Sequence, residues 1–361
     1  MKLFCCILLG SLFSCSLSAQ VRKENDWKKL FGKESSGSSH SGYRLIKTVS
    51  ATDKKFLEDN GVKLIRQLSD SECIVQLNDI HLAVSIPGLL DYTEVNDNWK
   101  CSSPLLDAIV ENIVDGDQPK KFYLLTSDIP GISQQIKTMH NATKLVYQYQ
   151  NIVIIETSLK ELIAHWLPGE SISFVDFADR QPKEEVSIIG FDNSTNAVNK
   201  LHAYLPQING SGMVVSVKEN KPDTTDIDFK GRYVSTPQTS INRSTHATIM
   251  STIIAGGGNS SYTALGVAWK AAITSSSFDV LLPDSNAVYR QQHISVQNHS
   301  YGTGVENFYG ADALAYDSSV ISNPYLLHIF SSGNSGNLAS NSGNYAGITG
   351  WANLTGSFKM A

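Results

Sequence analysis

Ser244-Thr245-His246-Ala247-Thr248-Ile249-Met250-Ser251-Thr252-Ile253-Ile254-Ala255-Gly256-Gly257-Gly258 sets a histidine at the start of an apolar helix. Ser244 or Thr245 can cap that helix, because a hydroxyl accepts from amides that the first turn leaves unpaired. The three glycines end it. Ala247, Ser251, Ala255 and Gly256 are thin residues at spacings that let a neighbouring backbone come close. Taken alone, the stretch describes a buried helix with one hydrogen-bonded histidine equally well. Its neighbours decide between the readings. An acid ends a hydrophobic strand upstream, and a Ser-Gly-Asn-Ser-Gly turn ends another strand downstream. Acid, histidine and amide, in that order on alternating strands and helices, are the parts of an acyl-transfer site.

Upstream, Asn209-Gly210-Ser211-Gly212 turns into Met213-Val214-Val215-Ser216-Val217-Lys218-Glu219. The valines bury this strand, and Glu219 sits at its carboxyl end, the edge where open α/β sheets gather their sites. A solvated acid at a strand end is the plain alternative. Downstream, Gly266-Val267-Ala268-Trp269-Lys270-Ala271-Ala272-Ile273 turns into a second strand. Ile294 to His299 is a third, closing on Ser300-Tyr301-Gly302, and Tyr325 to Phe330 a fourth, opening onto Ser331-Ser332-Gly333-Asn334-Ser335-Gly336. Asn334 in such a stretch can equally be a turn former. Short apolar strands alternating with helix signals predict an α/β domain with a parallel sheet.

Ahead of the charged, proline-bearing boundary Asp179-Arg180-Gln181-Pro182-Lys183-Glu184-Glu185, one pattern occurs twice. Tyr43–Lys47 reads as a strand, Thr52–Asn60 as a helix, Lys63–Ile65 and Cys73–Leu77 as strands, Asp79–Leu90 as a helix and Asp91–Val95 as a strand. The copy starts 79 residues later at Phe122. It runs through a helix over Ile129–Asn141, strands over Lys144–Tyr149 and Ile152–Glu156, a helix over Leu159–Leu167 and a strand over Ile172–Asp176. Strand-helix-strand-strand-helix-strand is the ferredoxin-like plan. The expected modules are 43–97 and 122–180, joined by a helix within 98–121. Neither holds a cluster of acid, base and nucleophile, so no chemistry is assigned to them.

The 361 residues suffice for two or three domains, and 41% hydrophobic content is that of a globular chain. A net charge of -5, with acids and bases mixed, argues against a nucleic-acid polyanion as main partner. Met1-Lys2, an apolar run from Leu3 to Leu12 and small residues near Ala19 predict a secretory signal peptide over 1–19, hence export. A lipid-modified Cys15 is the weaker alternative. Residues 20–42 read as a flexible leader rich in Ser, Gly and Lys. No later run reaches the length of a membrane span. Cys73 and Cys101 remain after the signal, as a disulfide or as buried thiols. No Cys/His spacing suggests a metal site.

Four of these points together resemble the subtilisin-like serine proteases, over roughly residues 192–361. The family ends its first core strand with the acid of a D-T/S-G pattern; Val215 to Glu219 fits that strand, with Asp226-Ile227-Asp228-Phe229 as the next element, nine residues separating Glu219 from Asp228. The histidine motif H-G-T-H-V-A-G is similar to His246-Ala247-Thr248-Ile249-Met250-Ser251, and the G-V-A turn to Leu265-Gly266-Val267-Ala268. Ser300-Tyr301-Gly302 matches S-L/W/Y-G, and Ser332-Gly333-Asn334-Ser335-Gly336 matches A-G-N-S/E/D-G.

The resemblance implies a serine endopeptidase acting through an acyl-enzyme on protein or peptide substrates. His246 is then general base and acid, Glu219 its orienter, and Asn334 an oxyanion donor. Ser300, Tyr301 and Gly302 hold the peptide as an added strand. It also implies that the amino-terminal modules are prodomains that assist folding and block the cleft, an intramolecular contact with the catalytic domain. Calcium is common in the family, though no cofactor site is identifiable here.

Two departures qualify this. Glu219 stands for Asp, and Ala247 for glycine. A Glu can still orient a histidine, while Asp223 and Asp226 are alternative acids. The family's nucleophile lies in G-T-S-M/A-A/S-x-P, roughly 60 or more residues beyond the oxyanion Asn. Only 27 residues follow Asn334, and Gly356-Ser357-Phe358-Lys359 does not match, so Ser357 reads as a loop serine. The expected peptidase domain, 186–361, is therefore incomplete, without a nucleophile, and inactive as this chain alone. A secreted binding protein on a degenerate protease fold, and a prodomain-type inhibitor or chaperone, are the competing readings. The expected fold is α/β, a subtilisin-like parallel-sheet domain preceded by two ferredoxin-like α+β modules.

Overall fold

The computed structural model describes residues 43–49, 54–69, 71–76, 86, 88–95, 97–110, 116–139, 142–184, 194–303, 309–334, 338, 339, 347 and 349. The expected signal peptide and leader lie outside these. The chain divides into two compact units, residues 1–146 with 153–178, and residues 147–152 with 179–361.

In the first unit, β1 (Tyr43–Thr48), α1 (Lys54–Asp59), β2 (Lys63–Ser69), β3 (Glu72–Gln76) and β4 (Leu89–Glu94) form one module. Its antiparallel sheet runs β2-β3-β1-β4. After α2 (Ser103–Val110), the second module comprises β5 (Pro119–Thr126), α3 (Ile129–Thr138), β6 (Thr143–Tyr149), β7 (Ile152–Ser158), a helical turn α4 (Leu159–Glu161) and β8 (Ile172–Phe177). Its sheet order, β6-β7-β5-β8, repeats that of the first module.

Two expectations change. Most of the helix expected over Asp79–Leu90 falls outside the described residues, but its last two residues, Leu89 and Leu90, belong to β4. Gly88 precedes them at φ 68°, a left-handed conformation that stops a helix and that glycine adopts without a Cβ penalty. Within the expected linking helix, 98–121, the described residues form a 3-10 turn over Asp97–Lys100 and then α2, while Pro119, Lys120 and Lys121 already belong to β5. Cys73 and Cys101 are both buried and not bridged to each other, the second of the two alternatives. Each packs in a separate apolar cluster.

The second unit holds the short strand β9 (Lys183–Glu184), α5 (Val198–Tyr204), β10 (Val214–Lys218), α6 (Thr245–Ala255), β11 (Ala272–Ser276), α7 (Asn286–Gln291), β12 (Ile294–His299), β13 (Tyr301–Gly302), α8 (Ala311–Ser322) and β14 (Leu327–Phe330). Four strands make a parallel sheet in the order β11-β10-β12-β14. Parallel strands need long crossovers, and helices supply them here, which is why their apolar runs are buried. On one face Val215, Ala255, Ala271 and Ile273 form a dry cluster, with Ile254 and Val296 against it. This seats α6 on the sheet. All four strands finish at the same edge, so Glu219, Ser300 and the segment after Phe330 leave the sheet together.

Candidate active site

Period-two alternation along β10 sorts its side chains. Val215 and Val217 are buried with the α6 face in the sense that Val215 joins its cluster, and Ser216 and Lys218 point the other way. Glu219 follows with the parity of the valines. Its amide donates to the Ser276 carbonyl at 2.8 Å, extending the ladder one residue beyond the strand.

The helix that carries His246 is aimed by its own entry. The Ser244 hydroxyl accepts from the Ala247 amide at 3.0 Å, closing the first turn. The segment leaving β10 is tied to this entry: Lys221 N donates to Asn242 O at 2.7 Å, and Ser244 N to Lys221 O at 3.1 Å. Asp223 N donates to Thr248 Oγ1 at 2.8 Å. Strand end and helix start are thereby one hydrogen-bonded assembly. Of the thin residues expected to allow close approach, Ala255 and Gly256 do so at the helix end, where Gly266 packs against their backbone: Gly266 N donates to Gly256 O at 2.9 Å, and Val267 N to Ile253 O at 2.9 Å.

The outcome is a hydrogen bond between His246 Nδ1 and Glu219 Oε1. Glu219 is 0% exposed and His246 6%. An ionised Glu219 accepts the Nδ1 proton, which leaves Nε2 as the basic nitrogen of a neutral ring. Burial raises the Glu219 carboxyl above its ordinary range; the hydrogen bond and charge of His246 oppose that rise, and the nearby Glu184 carboxylate adds to it.

The alternative acids are engaged elsewhere. Asp223 Oδ1 accepts from Thr225 N at 3.0 Å and Thr225 Oγ1 at 2.7 Å, bonds that hold its carboxyl below the usual range. Asp226 caps its own turn by accepting from Asp228 N at 2.9 Å. Asp228 is buried and accepts from Asn259 N at 2.5 Å, fixing the loop after α6.

The peptide-binding candidates separate by atom. Ser300 Oγ accepts from Asn298 Nδ2 at 2.8 Å. Tyr301 is buried: its hydroxyl lies 3.2 Å from His299 Nδ1, and its ring packs edge-on against Phe278 at 5.5 Å. Only the main chain of β13 can therefore meet a peptide, and it already does. Lys183 and Glu184 pair with Gly302 and Tyr301 as an antiparallel strand. Glu184 Oε1 accepts from Asn220 Nδ2 at 2.8 Å, next in sequence to Glu219. Asn334 lies exposed in the segment after β14, following Gly333 at φ 89°.

Two buried polar systems escaped the sequence reading. Lys218 Nζ meets Asp284 Oδ1 at 3.3 Å, and Asp284 also accepts from Ser276 Oγ at 2.7 Å and Gln297 Nε2 at 2.9 Å. Tyr289 OH donates to Gln297 Oε1 at 2.9 Å. The polar parity of Ser216 and Lys218 within a valine strand was the available signal. Beside it, His299 Nε2 lies 3.2 Å from His328 Nδ1, and Ser319 Oγ 3.1 Å from His328 Nε2. Burial lowers both imidazoles well below their ordinary value, His328 to about 4.

Among the described residues, one group of three acidic or imidazole side chains could hold a metal ion, Glu184 with Glu219 and His246. It does not fit calcium, which takes six to eight oxygen ligands rather than an imidazole.

An acid–histidine pair at the carboxyl edge of a parallel α/β sheet, beside an edge strand already holding an extended segment, defines a peptidase-like α/β domain. The subtilase family model matches residues 153–353, more than half of the chain, and the chain belongs to that family. No individual curated protein matches. Among solved structures, fervidolysin from Fervidobacterium pennivorans, a keratinolytic enzyme related to subtilisin, is similar at 17% identity and TM-score 0.41, covering 62% of this chain and 41% of that one. The epidermin leader peptide processing serine protease of Staphylococcus aureus is similar at 12% identity and TM-score 0.44, covering 61% of each chain. A serine-to-alanine variant of that protease gives 12% identity and TM-score 0.47, covering 61% of this chain and 62% of that one. The chain thus spans less than two thirds of these structures.

Proposed function

We propose that the second unit carries the acid–histidine half of a secreted serine endopeptidase site that hydrolyses peptide bonds through an acyl-enzyme. The observation that carries this is the buried Glu219–His246 hydrogen bond at the sheet edge, with β13 beside it holding a peptide segment. His246 Nε2 takes the proton of a serine hydroxyl and returns it to the leaving amine, while Glu219 fixes the tautomer and balances the imidazolium. Asn334 donates to the oxyanion. No nucleophilic serine is assigned among residues 1–361.

Substrates are proteins or peptides added as an antiparallel strand to Ser300–Gly302, as Lys183–Glu184 is. In this reading the segment after the second module is a substrate-like occupant of the cleft, and the amino-terminal modules are prodomains. Export follows from the signal-like start of the sequence. None of the described helices is long and apolar enough to cross a membrane. Neither the charge balance nor the site chemistry points to nucleic acid.

The test is hydrolysis of denatured casein by the protein expressed from its complete gene. The expected result is turnover that His246→Ala lowers by at least about a thousandfold. Equal turnover in that variant would remove His246 from the mechanism.

A further inference from the structure

We propose that Glu184, Glu219 and His246 form a binding site for a divalent transition-metal cation, zinc being the best match, which pins the Lys183–Glu184 strand in the cleft and silences the histidine. The three groups come from an edge segment, a core strand end and a helix start, and each offers one ligand atom within 4.8 Å of the others. Their spacing in the sequence matches no metal motif, so only the fold brings them together.

The independent observation is Glu219 Oε2. Glu219 is 0% exposed, and that oxygen has no hydrogen-bond partner, although the same carboxylate gives its other oxygen to His246. A buried carboxylate oxygen left without a donor is costly, and a cation satisfies it. Charge points the same way. Glu184 and Glu219 each bring a carboxylate oxygen within 4.8 Å of the other and of the imidazole. A divalent ion balances two carboxylates. Two carboxylates and an imidazole are ligands zinc accepts, with a fourth position left for water, whereas calcium and magnesium prefer oxygen alone.

The consequences concern the base and the strand. A cation coordinated by the imidazole occupies a lone pair that would otherwise take a proton. It also links Glu184 covalently to neither partner yet holds it beside both, adding to the Asn220 hydrogen bond. Metal loss then frees the base and loosens the strand in one event. This site goes beyond peptide hydrolysis and does not require it.

The experiment is calorimetric titration of the full chain, without an affinity tag, with zinc chloride, followed by cobalt(II) absorption as a reporter of imidazole and carboxylate ligation. One equivalent should bind to the unaltered protein. Glu184→Gln, which leaves the core strand and helix untouched, should weaken binding at least about tenfold. Trypsin cleavage after Lys183 should slow when zinc is added to the unaltered protein, recover with a chelator, and ignore zinc in Glu184→Gln. Absence of binding, or binding that Glu184→Gln leaves unchanged, would overturn the proposal. Either result leaves the casein assay of His246→Ala free to succeed or fail by itself.

Discussion

Lys218 and Glu219 are neighbours at the end of one strand and serve opposite faces of the sheet. Lys218 Nζ is held 3.3 Å from Asp284 in a buried network, while Glu219 bonds His246 on the side of the α6 helix. One turn of the pleat therefore separates a structural ion pair from the candidate catalytic pair. The position of Glu219 depends on the anchoring of the residue before it.

Removing one partner of the buried pair should be severe. Lys218→Met leaves Asp284 charged among Ser276, Gln297 and Tyr289, and a loss of about 3–5 kcal/mol is expected. Lys218→Met with Asp284→Leu, which removes both charges, should recover part of it. Urea denaturation of the two variants checks this, and equal losses would show that the two groups do not interact.

Acid should weaken the second unit through its imidazole pair. His328 is lowered to about 4 by burial first and then by Lys218, with Asp284 opposing, and His299 is lowered by burial, His328 and Lys218. In the unfolded chain both titrate near 6.5. The folded protein thus binds fewer protons between these values. Stability is complete above about pH 6.5 and falls as pH drops toward 4, by about 3 kcal/mol for His328. Denaturant midpoints across that range should show this slope, and His328→Gln should flatten it.

The close approach at the end of α6 should tolerate no methyl group. A Cβ at Gly266 would sit 2.6 Å from Gly256 N, 2.6 Å from Thr252 O and 2.7 Å from Ala255 N, all backbone atoms. Gly266→Ala should cost about 1–3 kcal/mol or more, since the helix end must shift. Thermal unfolding measures it; an unchanged midpoint would mean that the helix end yields freely.

Kinetics should separate the two amide-bearing roles at the site. Glu219→Gln can present an amide to Nδ1 and favour the wrong tautomer, so kcat should fall about 10³–10⁴-fold. Asn334→Ala removes one oxyanion donor and should lower kcat about 10²–10³-fold with KM little changed. Initial rates on a peptide substrate, with the protein expressed from its complete gene, distinguish these from an effect on binding.

Much of this was legible because the deciding forces are local. Ser244, the thin face of α6 and the glycines after Ala255 specify a capped helix that packs closely, and it forms over Thr245–Ala255. The valine strand placed Glu219 at a strand end, and the twice-repeated order of strands anticipated two four-stranded sheets of matching order. At the end of the helix expected over Asp79–Leu90, Leu89 and Leu90 were misplaced, because the left-handed Gly88 leads them into a strand paired with β1. Tyr301 was read as part of a strand that pairs with peptide backbone, and burial of its side chain was the part no motif announced. Lys218 and Asp284 are 66 residues apart, and Glu184, Glu219 and His246 span 63, so no local pattern could announce either group.

The most direct test of the central claim is the proton NMR spectrum of the protein at low field. A proton shared between His246 Nδ1 and the buried Glu219 carboxylate should give a strongly deshielded single-proton resonance. The account predicts that resonance in the unaltered protein and its loss in both Glu219→Gln and His246→Ala. A resonance that survives Glu219→Gln, or none at all in the unaltered protein, would contradict Glu219 as the residue that holds the histidine.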